Sequence, residues 1–202
     1  MKRNLSVILL VALALLVMVF GAACLRRATP APSPSPTSTP TGPINLVKNG
    51  DFEKELDSDG EVWNSWGGTG THTRERVTMA DFSGYCLHFA VPSYGTNPWD
   101  VQLTKQKSDY TGHIFYSLTA GKEYTIKFKA KATQNSSIQI VLQDSNNNWK
   151  NNQTFAITTS VATYSLTYTP DADYYLALMF NFGGSADGIE FYLDDIELSY
   201  QP

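Results

Sequence analysis

The chain has 202 residues, and all 19 of its acidic residues lie after residue 43, together with only 11 of its 15 basic residues. This acidic balance argues against nucleic-acid binding, which needs a basic footprint, and against an acidic polysaccharide as ligand. Cys24 and Cys86 lie far apart and show no CxxC spacing, so the composition predicts neither an internal disulfide in the folded region nor a zinc site.

The first 24 residues have the pattern of a secretory signal. Lys2 and Arg3 precede an almost unbroken apolar run over residues 5–20, and small residues then lead to Cys24. The stretch "GAAC" resembles a bacterial lipobox, although Gly21 stands where that pattern usually has leucine. An uncleaved membrane anchor is the alternative, since a membrane span needs about 20 residues. Both alternatives predict an exported protein, and the lipobox predicts a lipid on Cys24 that anchors it to the bacterial cell surface.

Residues 25–43 form a spacer dominated by proline, serine and threonine, with no apolar period. Such a segment cannot bury a core and stays extended and semi-rigid. A spacer of this kind holds a domain away from a surface, which suggests a partner larger than a diffusing metabolite. Residues 44–202 are then one domain, long enough to bury a core of its own.

Short runs of alternating apolar and polar residues fill this domain, separated by glycine, asparagine and aspartate. In one of them Tyr124, Ile126 and Phe128 alternate with polar residues. The predicted strands cover residues 85–91, 99–103, 121–132, 136–144, 163–170, 174–184 and 189–199. Many short strands with turns between them predict an all-β fold, an antiparallel two-sheet β-sandwich in which each sheet has an inner and an outer face.

Several predicted strands carry uncharged amides or aromatic rings at their outward positions, where a solvated sheet usually has lysine, glutamate and threonine. The candidates are Gln102, Gln143, Asn181, His88 and Tyr175. Because amides both donate and accept hydrogen bonds, such a face suits a ligand rich in hydroxyl groups. Chance is the alternative, since the amides are few.

The four tryptophans are candidate platforms for sugar rings, whose C–H faces stack on aromatic rings. Trp63 and Trp66 lie in "EVWNSWGGTG", which is interpreted as a glycine-rich loop, so both are predicted to contact ligand. Trp149 lies in a polar loop and is predicted at the rim of the site. Trp99 shares the parity of Val101, so core packing is at least as plausible for it.

Six segments come in an order and spacing that resembles the carbohydrate-binding modules of the family 4/9/16 group: "LVKNGDFE", "NPWDVQL", "LTAGKEYTIKFKAKA", "IQIVLQ", "YLALMFNFGG" and "FYLDDIEL". The resemblance implies a β-jelly roll of the galactose-binding-domain-like kind. It also implies that single β-glucan (β-1,4 or mixed-linkage) or xylan chains bind in a groove across one sheet. Gln102, Gln143 and Asn181 match positions that line this groove in the family.

The resemblance further implies a structural calcium ion between the first and last strands. The implied ligands are Asp51, Glu53, Asp81, Asp194 and, through its carbonyl, Gly84. Carboxylates on strands that meet repel each other, and a hard cation with six to eight oxygen ligands removes that repulsion. The alternative is that these acids are solvated edge residues that deter aggregation.

Two other functions are weighed against carbohydrate binding. A small exported glycoside hydrolase needs two carboxylates at a set separation, which the acids could supply, but no G-x-S-x-G or H-E-x-x-H motif is present. An adhesion or interaction lipoprotein would use the same sandwich to bind protein or another glycan. The sequence thus predicts a monomeric, non-catalytic polysaccharide-binding module that is attached to the membrane through Cys24 and binds no nucleic acid.

Overall fold

The computed structural model describes residues 42–184 and 187–202. The predictions for the signal, for lipidated Cys24 and for nearly all of the spacer lie outside the described residues. The described residues form a short 3-10 helix and thirteen β-strands. The strands are β1 (Ile44–Asn45), β2 (Asp57–Ser58), β3 (Glu61–Gly67), β4 (Thr71–Thr78), β5 (Tyr85–Ser93), β6 (Val101–Lys107), β7 (Tyr116–Leu118), β8 (Tyr124–Ala132), β9 (Ser136–Gln143), β10 (Trp149–Ile157), β11 (Ala162–Tyr168), β12 (Tyr174–Asn181) and β13 (Ile189–Tyr200).

The strands form two antiparallel sheets, as the alternation predicted. The first sheet has the order β11-β8-β13-β5-β4, with β1 added to β13. The second has the order β10-β9-β12-β6-β3-β2, with β7 added to β12. The all-β, two-sheet sandwich is therefore confirmed. The two outer faces have different chemistry, and the outer face of the second sheet carries the candidate site.

The core lies between the sheets and is built from the inward residues of the alternating runs. On β8, Tyr124, Ile126 and Phe128 are buried, and on β12 Leu178 and Phe180 are buried opposite them. The Phe128 and Phe180 rings meet edge to face, with centroids 5.4 Å apart. Buried aromatic rings remove large apolar areas from water, so they contribute strongly to the stability of the sandwich.

The segment around "NGDFE", which the implied calcium site places on the first strand, is not a regular strand. Asn49 and Phe52 have positive φ angles of 48° and 52°, which lie outside the β region of a regular strand. The segment nevertheless lies beside β13, since the Ile196 N–H donates to the Gly50 carbonyl at 2.9 Å. Arg76 fixes it further by donating to the Phe52 carbonyl at 2.7 Å. The beginning and end of the domain therefore meet. Within this N-terminal segment, only β1 pairs with β13 as a regular strand.

Candidate functional site

A groove of about 620 Å³ crosses the outer face of the second sheet. Its lining consists of three indole rings, four amides, a threonine, a histidine and a methionine. These residues are Trp66, Trp99, Gln102, Thr104, Gln106, His113, Gln143, Asn147, Trp149 and Met179. No lysine, arginine, aspartate or glutamate is among the described residues that line it. The volume falls within the range of about 300–1,000 Å³ that is usual for ligand sites.

The floor of the groove is apolar, although it lies on an outer face. Val141, Ala177 and Met179 pack together there and are almost fully buried, and Phe115 packs against them. These residues come from the middle strands β9 and β12 and from the segment before β7. An apolar floor bordered by polar groups matches the two kinds of surface on a sugar ring, whose faces are C–H groups and whose edges are hydroxyls.

A ladder of amides crosses three strands beside this floor. Gln102 on β6 donates through Nε2 to Asn181 Oδ1 at 2.8 Å, and Asn181 donates through Nδ2 to Gln139 Oε1 at 3.1 Å. The strand register brings these residues together, because Asn181 lies opposite both Gln102 and Gln139. The ladder links the three side chains to one another while leaving part of their hydrogen-bonding capacity unused.

Gln143 holds Trp149 in place at one side of the groove. The Trp149 indole N–H donates to Gln143 Oε1 at 3.0 Å, and Gln143 Nε2 donates to Asn147 Oδ1 at 2.8 Å. The Trp149 ring then meets Trp99 edge to face, with centroids 5.8 Å apart. An aromatic ring fixed by its neighbours loses little entropy when a ligand stacks on it.

Trp99 belongs to the groove and not to the core, in contrast to the parity argument. It lies in the 3-10 helix Pro98–Asp100 that precedes β6, and it is 43% exposed. The Asp100 carboxylate fixes this turn by accepting hydrogen bonds from the backbone N–H groups of Thr96 and Asn97 at 2.7 and 2.8 Å and from the Thr69 hydroxyl at 2.9 Å. These bonds, led by the one from Asn97, hold the pKa of Asp100 below its ordinary value.

The prediction for Trp63 is wrong, because this residue is part of the core. "EVWNSWG" is strand β3 and not a loop, so successive side chains point to opposite faces. Trp63 points inward, is 1% exposed and donates its indole N–H to the Asn49 carbonyl at 2.8 Å. Trp66 points outward, is 51% exposed and lines the groove. The two tryptophans therefore lie on the same strand but point to opposite faces of the sheet, although both were predicted to contact ligand.

His88 lies on the wrong sheet for its predicted role. It is an outward residue of β5, but β5 belongs to the first sheet, on the other side of the sandwich. Its ring nitrogens lie 2.8 Å from Glu75 Oε1 and 3.2 Å from Glu190 Oε2, and its ring stacks on Tyr192. Tyr175, on β12, is 71% exposed, yet it is not among the residues that line the groove.

Six groove residues were not among the predicted site residues: Trp99, Thr104, Gln106, His113, Asn147 and Met179. Gln106 was detectable, because it continues the outward parity of Gln102 and Thr104 along β6. His113 forms a bridge with Gln106 across a hairpin, which brings it onto the same face. No local pattern in the sequence indicates that pairing.

The structure brings Glu53 and Gly84 of the predicted calcium site together, but it pairs Asp81 with a lysine. The Glu53 carboxylate accepts a hydrogen bond from the Tyr85 N–H at 2.8 Å. It lies so close to Gly84, whose φ is 82°, that a Cβ atom there would overlap with it. Asp81 instead forms an ion pair with Lys131 on the outer face of the first sheet.

Asp194 is the one buried carboxylate in this region of the described structure, at 1% exposure. It accepts a hydrogen bond from the Asp195 N–H at 2.8 Å. Burial, the largest cause, raises the pKa of Asp194 to about 7, and the charges of Asp195 and Asp51 act in the same direction. A buried carboxylate surrounded by other acids fits a cation site. Within the described residues, however, no three His, Cys, Asp or Glu side chains are grouped closely enough to hold a metal ion.

Comparison with known proteins identifies the family. A sequence model of the family described as "carbohydrate binding domain", of the 4/9 group of carbohydrate-binding modules, matches residues 44–187. The chain belongs to this family. The protein is therefore a non-catalytic carbohydrate-binding module, and the predicted resemblance is confirmed. No curated protein sequence matches the chain.

Solved structures support the same fold. A carbohydrate-binding module of family 4 is 24% identical, with a TM-score of 0.61, and the alignment covers 77% of this chain and 99% of that one. The N-terminal cellulose-binding domain of the Cellulomonas fimi β-1,4-glucanase C is 19% identical, with a TM-score of 0.50 and coverage of 69% and 89%. The unliganded CBM1 of BiXyn10A is 13% identical, with a TM-score of 0.51 and coverage of 75% and 98%. Among the described residues of the present module, no helix is long and apolar enough to cross a membrane.

Proposed function

We propose that this carbohydrate-binding module captures single chains of a neutral β-glucan, β-1,4-linked or mixed-linkage, or of xylan. The observation that carries the proposal is the groove itself, which combines three indole rings with amides and contains no charged side chain among its described lining residues. Indole rings stack on the C–H faces of pyranose rings, while amides bind their hydroxyl edges. The likeness to a cellulose-binding domain supports a β-1,4-linked glucan among these ligands.

The neutrality of the groove supports an uncharged ligand. A uronic acid would lose its hydration without gaining a cationic partner, which is unfavourable. The folded region also carries more acids than bases, so long-range attraction of an anionic polymer is absent.

The dimensions of the sheet support a chain and not a single sugar. Trp66 lies on β3 and Trp149 on β10, and three strands, β6, β12 and β9, lie between them. Four strand spacings of about 4.8 Å correspond to roughly 19 Å across the sheet. A pyranose ring in an extended chain advances by about one strand spacing, so several consecutive rings could contact the groove. The groove is open to water, so we expect an affinity on the order of 10–100 μM.

Native affinity electrophoresis of the purified protein tests this function. The gels contain barley β-glucan, hydroxyethyl cellulose, xylan, laminarin or glucomannan. We expect retardation by one or more of the first three polymers and loss of retardation in Trp66→Ala and Trp149→Ala. Tyr175→Ala is the matched control, because this exposed aromatic residue does not line the groove. Migration unaffected by all five polymers, in a folded protein, would refute the proposal and favour a protein partner or another glycan.

A structural calcium ion is part of the same proposal. Glu53, Asp194 and Asp51, with the carbonyl of Gly84, would hold the ion at the junction of the N-terminal segment and β13. Asp81 is left out, because its carboxylate is paired with Lys131. The buried Asp194 supports this assignment, since burial raises its pKa to about 7 and a calcium ion would stabilise the charged carboxylate. Elemental analysis after dialysis against calcium tests it, and a protein that retains no calcium would contradict it.

We further propose that the module is exported and anchored by a lipid on Cys24 to the bacterial cell surface. The leader pattern and the spacer of residues 25–43 support this location. Detergent-phase partitioning of the protein expressed in a bacterial host tests it. We expect the parent in the detergent phase as the cleaved form. Cys24→Ala should remain the larger, uncleaved precursor, whose apolar run also holds it in the detergent phase. An unlipidated, cleaved parent in the aqueous phase would contradict the anchor.

A further inference from the structure

The groove contains one buried polar atom that no other group in the described structure satisfies. Nδ1 of His113 is buried and has no hydrogen-bond partner. Most other polar groups of the groove are bonded within the protein: Gln102 to Asn181, Gln143 to Trp149, and Gln106, through Oε1, to Asn64 at 2.7 Å. Buried polar atoms are almost always paired, so the unpaired Nδ1 leaves the imidazole without an internal partner. Because His113 also lines the groove, a ligand can contact the edge of the ring that faces the groove.

Backbone hydrogen bonds, and not hydrogen bonds of its ring, fix the position of His113. Lys105 and Ile114 are joined by a hydrogen bond of 2.9 Å, from the Ile114 N–H to the Lys105 carbonyl, and Gln106 pairs with His113. This hairpin places the imidazole in the groove beside Gln106. The Phe115 ring meets the imidazole edge-on at 6.2 Å and packs on the apolar floor. The imidazole therefore has a defined position at the floor without using a ring nitrogen to obtain it.

The surroundings of His113 favour the neutral imidazole. Burial lowers its pKa, and no neighbouring charge contributes to the shift. The groups that face it from β6, β9 and β12 are uncharged, and the charged residues nearest along its own hairpin, Lys107 and Asp109, are exposed. A neutral imidazole offers one donor and one acceptor, which is the pair of functions that a sugar hydroxyl can use.

We infer that His113 binds a hydroxyl group of the glycan and makes the affinity of the groove dependent on pH. The inference rests on the proposed function and adds a specificity-determining residue to it. A bound sugar would exclude water from the imidazole, and the described lining of the groove offers no carboxylate to stabilise a proton on the ring. Binding therefore disfavours the imidazolium form, and acidification weakens binding. An extracellular module with this property releases its polysaccharide as the medium becomes acidic.

The test is the dissociation constant for barley β-glucan, hydroxyethyl cellulose and xylan as a function of pH, for the parent, His113→Gln and His88→Gln. Between pH 7.5 and pH 5 the parent should lose affinity roughly 3- to 10-fold, the range expected for a histidine whose pKa is below 6.5. His113→Gln should bind about fivefold more weakly at pH 7.5, as expected for about one lost hydrogen bond. It should also show a flat pH profile. His88→Gln should keep the slope of the parent.

The outcomes separate this inference from the proposed function. A parent that binds none of the polymers at any pH overturns both. A parent that binds, with an unchanged slope or unchanged affinity in His113→Gln, overturns the inference alone. An NMR titration of the His113 ring in the parent gives an answer that does not depend on a variant folding. Saturation with barley β-glucan oligosaccharides should lower the pKa of His113 further, and an unchanged or raised pKa would refute the contact.

Discussion

Trp63 and Trp66 lie three residues apart on β3, yet they should respond to truncation in opposite ways. Trp63 is 1% exposed, and its ring lies 5.5 Å from Phe52 and 6.5 Å from Phe180. A tryptophan that buries about 200 Å² of apolar surface contributes about 5 kcal/mol at 25 cal/mol per Å². Trp63→Ala should therefore lower the free energy of unfolding by about 3–5 kcal/mol, the usual cost of removing a buried aromatic ring. Since a domain of this kind is stable by only about 5–15 kcal/mol, the variant should be severely destabilised.

Trp66 is 51% exposed, so its truncation can remove at most about half of the burial free energy of a fully buried tryptophan. Trp66→Ala should lower the free energy of unfolding by no more than about 2.5 kcal/mol. It should weaken polysaccharide binding about tenfold, because an aromatic contact contributes about 0.5–1.5 kcal/mol beyond its area. The two variants thus separate folding from binding at an inward and an outward position of the same strand.

Two measurements check this contrast: urea denaturation followed by circular dichroism, and affinity electrophoresis of whatever remains folded. Trp63→Phe serves as the matched control, since it retains an aromatic ring in the core and should be intermediate in stability. The reasoning would be refuted if Trp63→Ala unfolded at the same urea concentration as the parent while losing polysaccharide binding. It would also be refuted if Trp66→Ala bound as tightly as the parent.

Three further predictions concern parts of the module outside the groove. Glu61→Gln should lower the free energy of unfolding by about 3 kcal/mol in urea denaturation, because Lys105 is 2% exposed and would lose its compensating charge. Lys105→Met should lower the free energy of unfolding by less, because Glu61 keeps its ion pair with Lys48 at 2.8 Å. An equal decrease in the two variants would contradict this reasoning. A chelator should lower the melting temperature of the parent in calorimetry but not that of Asp194→Asn. An equal decrease in the melting temperatures of both proteins would exclude Asp194 as a calcium ligand. Burial raises the pKa of the Cys86 thiol to about 11, so this thiol should react with a disulfide reagent only after denaturation, and rapid reaction of the native protein would contradict its burial.

The fold was predictable because the alternation of apolar and polar residues is strong in the central strands. The runs that became β5, β8, β9, β12 and β13 each bury their inward residues, and the periodicity of two identifies those residues directly. Strand β10 was missed because it is an edge strand of mainly polar residues, "WKNNQTFAI", with only its last residue fully buried. An edge strand that contributes little to the core has little periodic signal to read.

The candidate site was only partly predictable, and the errors have separate physical causes. Alternation tells which residues of a strand point outward but not to which sheet the strand belongs, so His88 was assigned to the wrong face of the sandwich. The 3-10 helix before β6 resets the parity of Trp99 relative to Val101. The glycines after Trp66 made a strand look like a loop, which concealed the inward direction of Trp63.

The amide ladder of Gln102, Asn181 and Gln139 has a polarity, because each donor points the same way along it. Rotating all three amide groups by half a turn reverses every donor and acceptor and still leaves two hydrogen bonds. The two directions are therefore of similar internal energy, and they expose opposite hydrogen-bonding groups at the ends of the ladder. A row of amides, unlike a carboxylate or a lysine, can adjust to the hydroxyl orientations of an incoming chain without moving the backbone. Recognition through such a reversible row tolerates variation in the hydroxyl pattern of the glycan while the sheet stays rigid.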